Sequence, residues 1–134
     1  MEVQHNLIPP EELSSEEAAA YNRCKALGQI LDRVGNKWTI MVVGRLSGGP
    51  MRFNAIHRGI VGVSHRMLTL TLRGLEQDGL VKRTVFPTVA PKVEYELTDT
   101  GRSLIIPLQA LALWAEHNLG TINSARAKHL AKSS

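Results

Sequence analysis

Most reactive chemistry is missing from this sequence. It has one cysteine, Cys24, in 134 residues. An internal disulfide framework cannot be built from it, and the count fits a reducing compartment. Nowhere does the chain approach the roughly 18 uninterrupted apolar residues of a membrane span. Its most apolar candidate, Leu104 to Ala115, is cut by Pro107 and Gln109. Met1-Glu2-Val3-Gln4-His5 has neither the basic start nor the apolar run of a signal peptide, so a cytoplasmic location and no membrane partner are expected. The histidines and Cys24 show no C-x₂-C or H-x₃-H spacing, so no metal site is expected. A glycine-rich phosphate loop and a G-x-S-x-G elbow are both absent, and the acids are scattered. The expectation is a protein that is not an enzyme and needs no cofactor.

At this length there is room for one domain with one core. The net charge of +4 hides a division. Residues 1–17 carry five acids and no Lys or Arg, whereas residues 18–118 hold 13 Lys and Arg against seven acids. A basic folded part favours a phosphate-bearing partner, although charge alone also fits anionic lipid or solubility.

The stretch from Val63 to Leu97 carries the most information. Ser64 can cap a helix over residues 65–78. Leu68, Leu72 and Leu75 fall at i, i+4 and i+7 and make one apolar stripe. The opposite face carries Arg66, Thr69, Leu70, Arg73 and Gln77. Gly79 ends the helix. Residues 81–86 then alternate in side-chain direction, Pro87 to Pro91 interrupts them, and residues 92–97 alternate again. That pattern predicts a hairpin with a proline-bounded tip. A leucine-packed helix with a basic free face, followed by a short ribbon, is the layout of a winged helix-turn-helix.

Around this centre the chain reads as mostly helical, α+β overall. Residues 1–15 read as a flexible acidic arm. Residues 16–34 are expected to be helical, with Leu27, Leu31 and Val34 on one face. Trp38 to Leu46 reads as a short buried helix, stopped by Gly48-Gly49-Pro50. Met51 to Phe53 suits a short strand, and Asn54 can cap the helix after it. Thr98 is placed to cap a long helix in which Leu104, Leu108, Leu111 and Ala115 make one stripe and Ile105, Ala112 and Leu119 a second. Two stripes exceed what one small core covers, so a partner chain is expected on this helix. A kink is expected at Pro107, and residues 123–132 can form one more helix. The division is thus 1–15 arm, 16–119 winged helix-turn-helix domain with flanking dimerisation helices, and 120–134 basic C-terminal helix or tail.

Cys24, Gly35-Asn36-Lys37-Trp38-Thr39, Gly49-Pro50-Met51-Arg52-Phe53, Val63-Ser64, Met67-Leu68, Leu75 to Val81, Val93-Glu94-Tyr95 and Leu97 to Arg102 stand in an order and at gaps that resemble the HxlR-type (DUF24) transcriptional regulators. The likeness covers about residues 24–118. It implies a winged helix-turn-helix homodimer, held by its terminal helices, that binds double-stranded operator DNA and represses or activates nearby genes. In this family a basic residue stands near the wing tip, which points to Lys92. Some members sense electrophiles or oxidants through one cysteine before the first helix, and Cys24 sits at the matching distance ahead of Trp38. Lys25, His65 and Leu70 depart from the usual family residues at their positions.

The residues themselves sharpen that expectation. The candidate DNA-binding set is Arg52, Ser64, His65, Arg66, Thr69, Leu70, Arg73 and Lys92. Arginine suits guanine because its fork donates to O6 and N7 together, and Leu70 suits a thymine methyl. His65 lies where a helix N-terminus favours phosphate. Lys82 and Arg83 point to opposite faces of the ribbon, so at most one is placed for DNA. Cys24 stands between Arg23 and Lys25, a setting that suits a reactive thiol, against the plainer reading of a buried cysteine packed with Leu27. Leu104, Leu108, Leu111, Ala115 and Leu119 are the dimerisation candidates. The functional expectation is a sequence-specific DNA-binding regulator with Cys24 as candidate switch and an effector the sequence does not identify. The alternative is a winged-helix interaction module that does not read DNA sequence.

Overall fold

In a computed structural model of the chain, residues 12–133 are described. The expected arm falls mostly on residues 1–11 and lies outside them. Two units are distinguished, one ending at Asn36 and one running from Lys37 onward. The first contains α1, Ser15–Val34. Its start is a capping box: the Ser14 hydroxyl accepts from the Glu17 N–H at 3.2 Å, and the Ser14 N–H donates to the Glu17 carboxylate at 3.3 Å. Gly35 closes it by donating its N–H to the Leu31 carbonyl at 2.8 Å. No residue of α1 is buried, and Leu27, Ile30 and Leu31 are exposed.

The second unit runs α2 (Lys37–Leu46), β1 (Met51–Arg52), α3 (Phe53–Arg58), α4 (His65–Gln77), β2 (Val81–Phe86), β3 (Lys92–Leu97), α5 (Asp99–Arg102) and α6 (Ile105–Ser133). The strands form one antiparallel sheet in the order β1-β3-β2. This is the expected α+β winged helix-turn-helix. Its core is built from Val42, Val43 and Leu46 of α2, Ile56 of α3, Leu68, Leu72 and Leu75 of α4, and Val81 and Leu97 at the base of the ribbon. As expected, α2 is central, but it is not buried all round: Met41 is exposed and Trp38 half-buried. Asn54 is not a cap. Pairing of Arg52 with Glu94 carries the chain straight from β1 into α3, whose N-cap position is Arg52 with no side-chain bond.

One joint ties the end of α4 to the base of the wing and to the start of α5. Gly79 takes φ +72°, a left-handed conformation that favours glycine. The Leu80 N–H then reaches back to the Leu75 carbonyl at 2.9 Å and the Gly79 N–H to the Glu76 carbonyl at 3.1 Å, a Schellman ending with Leu75 and Leu80 both buried. Thr98 locks onto the same turn. Its hydroxyl donates to the Gly79 carbonyl at 2.6 Å and accepts from the Gly101 N–H at 3.1 Å, while its N–H donates to the Leu80 carbonyl at 3.1 Å. Gly101 packs so closely that a Cβ there would overlap the Leu80 carbonyl oxygen.

Three expectations for the C-terminal part need correction. Thr98 caps the four-residue α5, and the long helix begins only at Ile105. Pro107 gives no reason for a kink. The residue lies in the first turn of α6, where its missing N–H has no helical partner to lose. Residues 123–132 are the second half of the same 29-residue helix and not a separate one; Asn123 and Ser124 are polar because they are exposed, not because the chain turns. At 1.5 Å per residue α6 is about 43 Å long. It packs on α2 near its N-terminus, where Ile105, Leu108 and Ala112 face Ile40, Val43 and Gly44.

The joint predicts a sharp asymmetry between two small changes. Gly101→Ala should destabilise the fold by about 2 kcal/mol or more, because the Leu80 backbone cannot give way as a side chain would. Thr98→Ser should be nearly silent, since it keeps the hydroxyl. Urea unfolding of the two variants and the wild type checks both.

Candidate nucleic-acid interface

The site is built on the α3–turn–α4 pair and on the ribbon that follows. Gly62, at φ +85°, makes the turn between the helices possible. Ser64 caps α4 as expected, its hydroxyl accepting from the Met67 N–H at 3.0 Å. Leu68, Leu72 and Leu75 are buried, which fixes the rotation of α4 about its axis. Arg66, Leu70, Arg73 and Gln77 are consequently exposed on one side, and Thr69 is half-buried beside them. The Thr69 hydroxyl donates to the His65 carbonyl at 2.9 Å, so its remaining capacity is as an acceptor.

His65 has a structural role that the sequence did not suggest. Its ring lies against Phe53 of α3, with centroids 4.5 Å apart and planes tilted by 50°. His57 completes the cluster, 6.3 Å from Phe53 and 6.1 Å from His65. This aromatic contact joins the first turn of α4 to α3 while leaving His65 exposed.

The ribbon pairs Val81 with Leu97, Arg83 with Tyr95 and Val85 with Val93 on one face, and Lys82 with Glu96, Thr84 with Glu94 and Phe86 with Lys92 on the other. Arg83 and Tyr95 share a groove of about 350 Å³ with Thr69, Arg73 and Glu76 of α4. Of the two neighbouring cations, Arg83 is therefore the one on the side of α4. The strand alternation places Lys82 and Arg83 on opposite faces, but only the packing tells which face meets the helix. Lys92 sits 4.8 Å over the Phe86 ring and 3.6 Å from the Glu94 carboxylate. Arg52 and Lys92 line a second groove, at the start of α3, together with Arg58. Arg58 is a further cation that sequence reasoning missed; nothing in its spacing from Arg52 marks the two as neighbours, and only the fold brings them to one groove. The predicted residues thus fall into two groups: Ser64, His65, Arg66, Thr69, Leu70 and Arg73 on α4, and Arg52 with Lys92 beside the wing.

Two other sets remain. Cys24 is exposed in the middle of α1, which goes against the alternative of a cysteine buried with Leu27 and does not place it at a helix start. Of the dimerisation candidates, Leu108 is buried against α2 in its own chain and Leu104 is half-buried. Leu111, Ala115 and Leu119 are exposed, and Ile106, Leu113 and Trp114 add apolar surface that the two stripes did not include.

Comparison with known proteins agrees with this fold. A family model described as HxlR-like helix-turn-helix matches residues 33–123. An uncharacterized HTH-type transcriptional regulator of Methanothermobacter thermautotrophicus is 45% identical over 86 residues, which span 64% of this chain and 66% of that protein. YybR, an uncharacterized HTH-type transcriptional regulator of Bacillus subtilis, is 41% identical over 102 residues, 76% of this chain and 82% of that one. Among solved structures, the redox regulator HypR in its reduced form superposes with a TM-score of 0.67 at 39% identity, over 74% of this chain and 98% of that chain.

Proposed function

The chain belongs to the HxlR-like helix-turn-helix family, and from that premise we propose that it is a sequence-specific, DNA-binding transcriptional regulator that acts as a homodimer. The observation that carries the reading is the division of α4 into a buried leucine face and an exposed face of Arg66, Leu70, Arg73 and Gln77. A helix so held can enter a major groove while its scaffold stays intact, and two of them can read the half-sites of a pseudo-palindromic operator. Arg66 and Arg73 donate to guanine edges, Leu70 packs on a thymine methyl, and Thr69 accepts from a base or water. The Ser64 hydroxyl proton and the N-terminal turn around His65 meet a phosphate. Arg52 and Lys92 hold the backbone beside the wing. The work is done in the cytoplasm, without membrane or cofactor. The alternative of an interaction module is weaker, because the exposed side chains of α4 are those that read base edges.

Exposed Leu111, Leu113, Trp114 and Leu119 on α6 support the dimer, since so much apolar surface on one helix is unusual for a monomer. The exposed thiol of Cys24 supports a switch, and HypR, a redox regulator by name, is similar in fold and sequence. With one cysteine per chain, reversible chemistry there is a disulfide between protomers, a mixed disulfide with a small thiol, or an adduct.

Three measurements test this reading. With duplexes from the promoter nearest the protein's own gene, Arg66→Ala or Arg73→Ala should cost about 1–3 kcal/mol and relax base preference; full affinity in both would overturn the docking. Light scattering at micromolar concentration should return twice the chain mass, and Leu111→Glu should lower both that mass and the operator affinity. Treatment with a mild oxidant or a quinone should change operator affinity in the wild type and not in Cys24→Ser; complete modification of Cys24 with no change in affinity would rule out the switch.

A further inference from the structure

Gly44 lies in the last turn of α2 with ordinary helical backbone, and it is not among the glycines at positive φ. A Cβ built there meets no neighbouring atom within 4 Å. Among the described residues, neither conformation nor packing therefore requires glycine, which is a poor helix former. What the missing side chain does leave is space. A cavity of about 150 Å³ opens beside Gly44, between α2 and the first turns of α6. Ile40 and Val43 form one wall, and Ile105, Leu108 and Ala112 the other.

Val43 and Leu108 are buried, whereas Ser47 and Gln109, which also line the cavity, are exposed. The floor is therefore apolar and the polar groups stand at the mouth, the usual arrangement of a small-molecule site. A space of this size lined by aliphatic side chains takes a benzene ring. No charged residue lines it among those described, so an ionic ligand would lose its hydration without gaining a counter-charge. The Ser47 hydroxyl donates to the Gly44 carbonyl at 2.6 Å, which leaves its oxygen free to accept. Gln109 offers an amide at the same mouth. A neutral ring with a hydroxyl meets each of these conditions. Its ring lies on Val43 and Leu108, and its hydroxyl donates to Ser47 Oγ. A phenol is uncharged at neutral pH, since such a hydroxyl ionises only near about pH 10.

We propose that this cavity binds a neutral single-ring phenol and is the effector site of the protein; its effect on DNA rests on α4 being the reading helix of a dimer. The position explains how binding is felt. α2 packs on α4 in the core, while α6 carries the exposed apolar surface that supports the dimer. A ring wedged between α2 and α6 holds the angle between them, and the separation of the two reading helices follows from that angle. Phenol and operator then affect each other's affinity by the same factor.

The test compares the full-length wild type with Gly44→Ala, Gly44→Leu and Ser47→Ala. Phenol and toluene are titrated to millimolar concentration and followed by ligand-observed NMR and by the midpoint of thermal unfolding, which a ligand of the native state raises. The wild type should bind phenol saturably and several-fold more tightly than toluene. Gly44→Ala should weaken both ligands and Gly44→Leu, which fills the cavity, should bind neither, although both variants should melt no lower than the wild type because alanine and leucine are better helix formers. Ser47→Ala should keep toluene and lose the preference for phenol. Saturating phenol should shift the affinity for the promoter duplex several-fold in the wild type and not in Gly44→Leu. A wild type that does not bind phenol, or Gly44 variants that bind it as well as the wild type, would overturn the site. Binding with no shift in promoter affinity would overturn the effector role. A wild type that does not tell promoter from scrambled duplex would overturn the α4 reading and leave the cavity's own occupancy standing.

Discussion

Everything in the reading unit hangs on the turn at Gly79 and Leu80. The end of a helix leaves carbonyls without partners. Gly79 and Leu80 send their N–H groups back to the carbonyls of Glu76 and Leu75, and Thr98, at the end of β3, bonds the carbonyls of Gly79 and Leu80 in the turn itself. Thr98 uses its hydroxyl as donor and acceptor at once and so connects α4, the base of the wing and α5. The position of the ribbon relative to α4 follows from this joint, and with it the groove shared by Arg73 and Arg83.

Much of this was legible in the sequence because the elements concerned are specified locally. Leucines at helical spacing, Ser64 before them and Gly79 after them predicted α4 and its two faces. Alternation on either side of Pro87 and Pro91 predicted the hairpin. What could not be read depends on contacts between distant segments. Nothing local marks Gly101 as the residue that must pass against the Leu80 carbonyl. Alternation puts Lys82 and Arg83 on opposite faces without saying which face meets α4. A leucine stripe on α6 announces burial but not the covering surface, and α2 of the same chain takes Leu108. Pro107 was read as a kink because its harm depends on depth within the helix, and two residues of phase decide that. His65 was read for its position at a helix start, whereas its ring contact with Phe53 required the angle between two helices.

The long helix poses a separate physical problem. Its first turns are supported by α2, but Leu119 and Leu130 lie well beyond that support and are exposed. A helix of that remaining length has little stability of its own in water, where tertiary packing supplies most of what holds a helix. Its mix of exposed Leu113, Trp114 and Leu119 with Arg126, Lys128 and Lys132 suits an apolar seam that gives way to a solvated basic end.

The side chains of Arg66, Leu70, Arg73 and Gln77 make no hydrogen bond or ion pair among the described residues, and all four are exposed. Rigidity here comes from Leu68, Leu72, Leu75, Gly79, Thr98 and Gly101, none of which is among them. With α4 as the proposed reading helix, recognition and folding are encoded on separate letters of the same thirteen-residue helix and its flanks. The scaffold tolerates a new set of outward side chains without renegotiating its core, so a change of target sequence is open to this protein by a handful of surface substitutions.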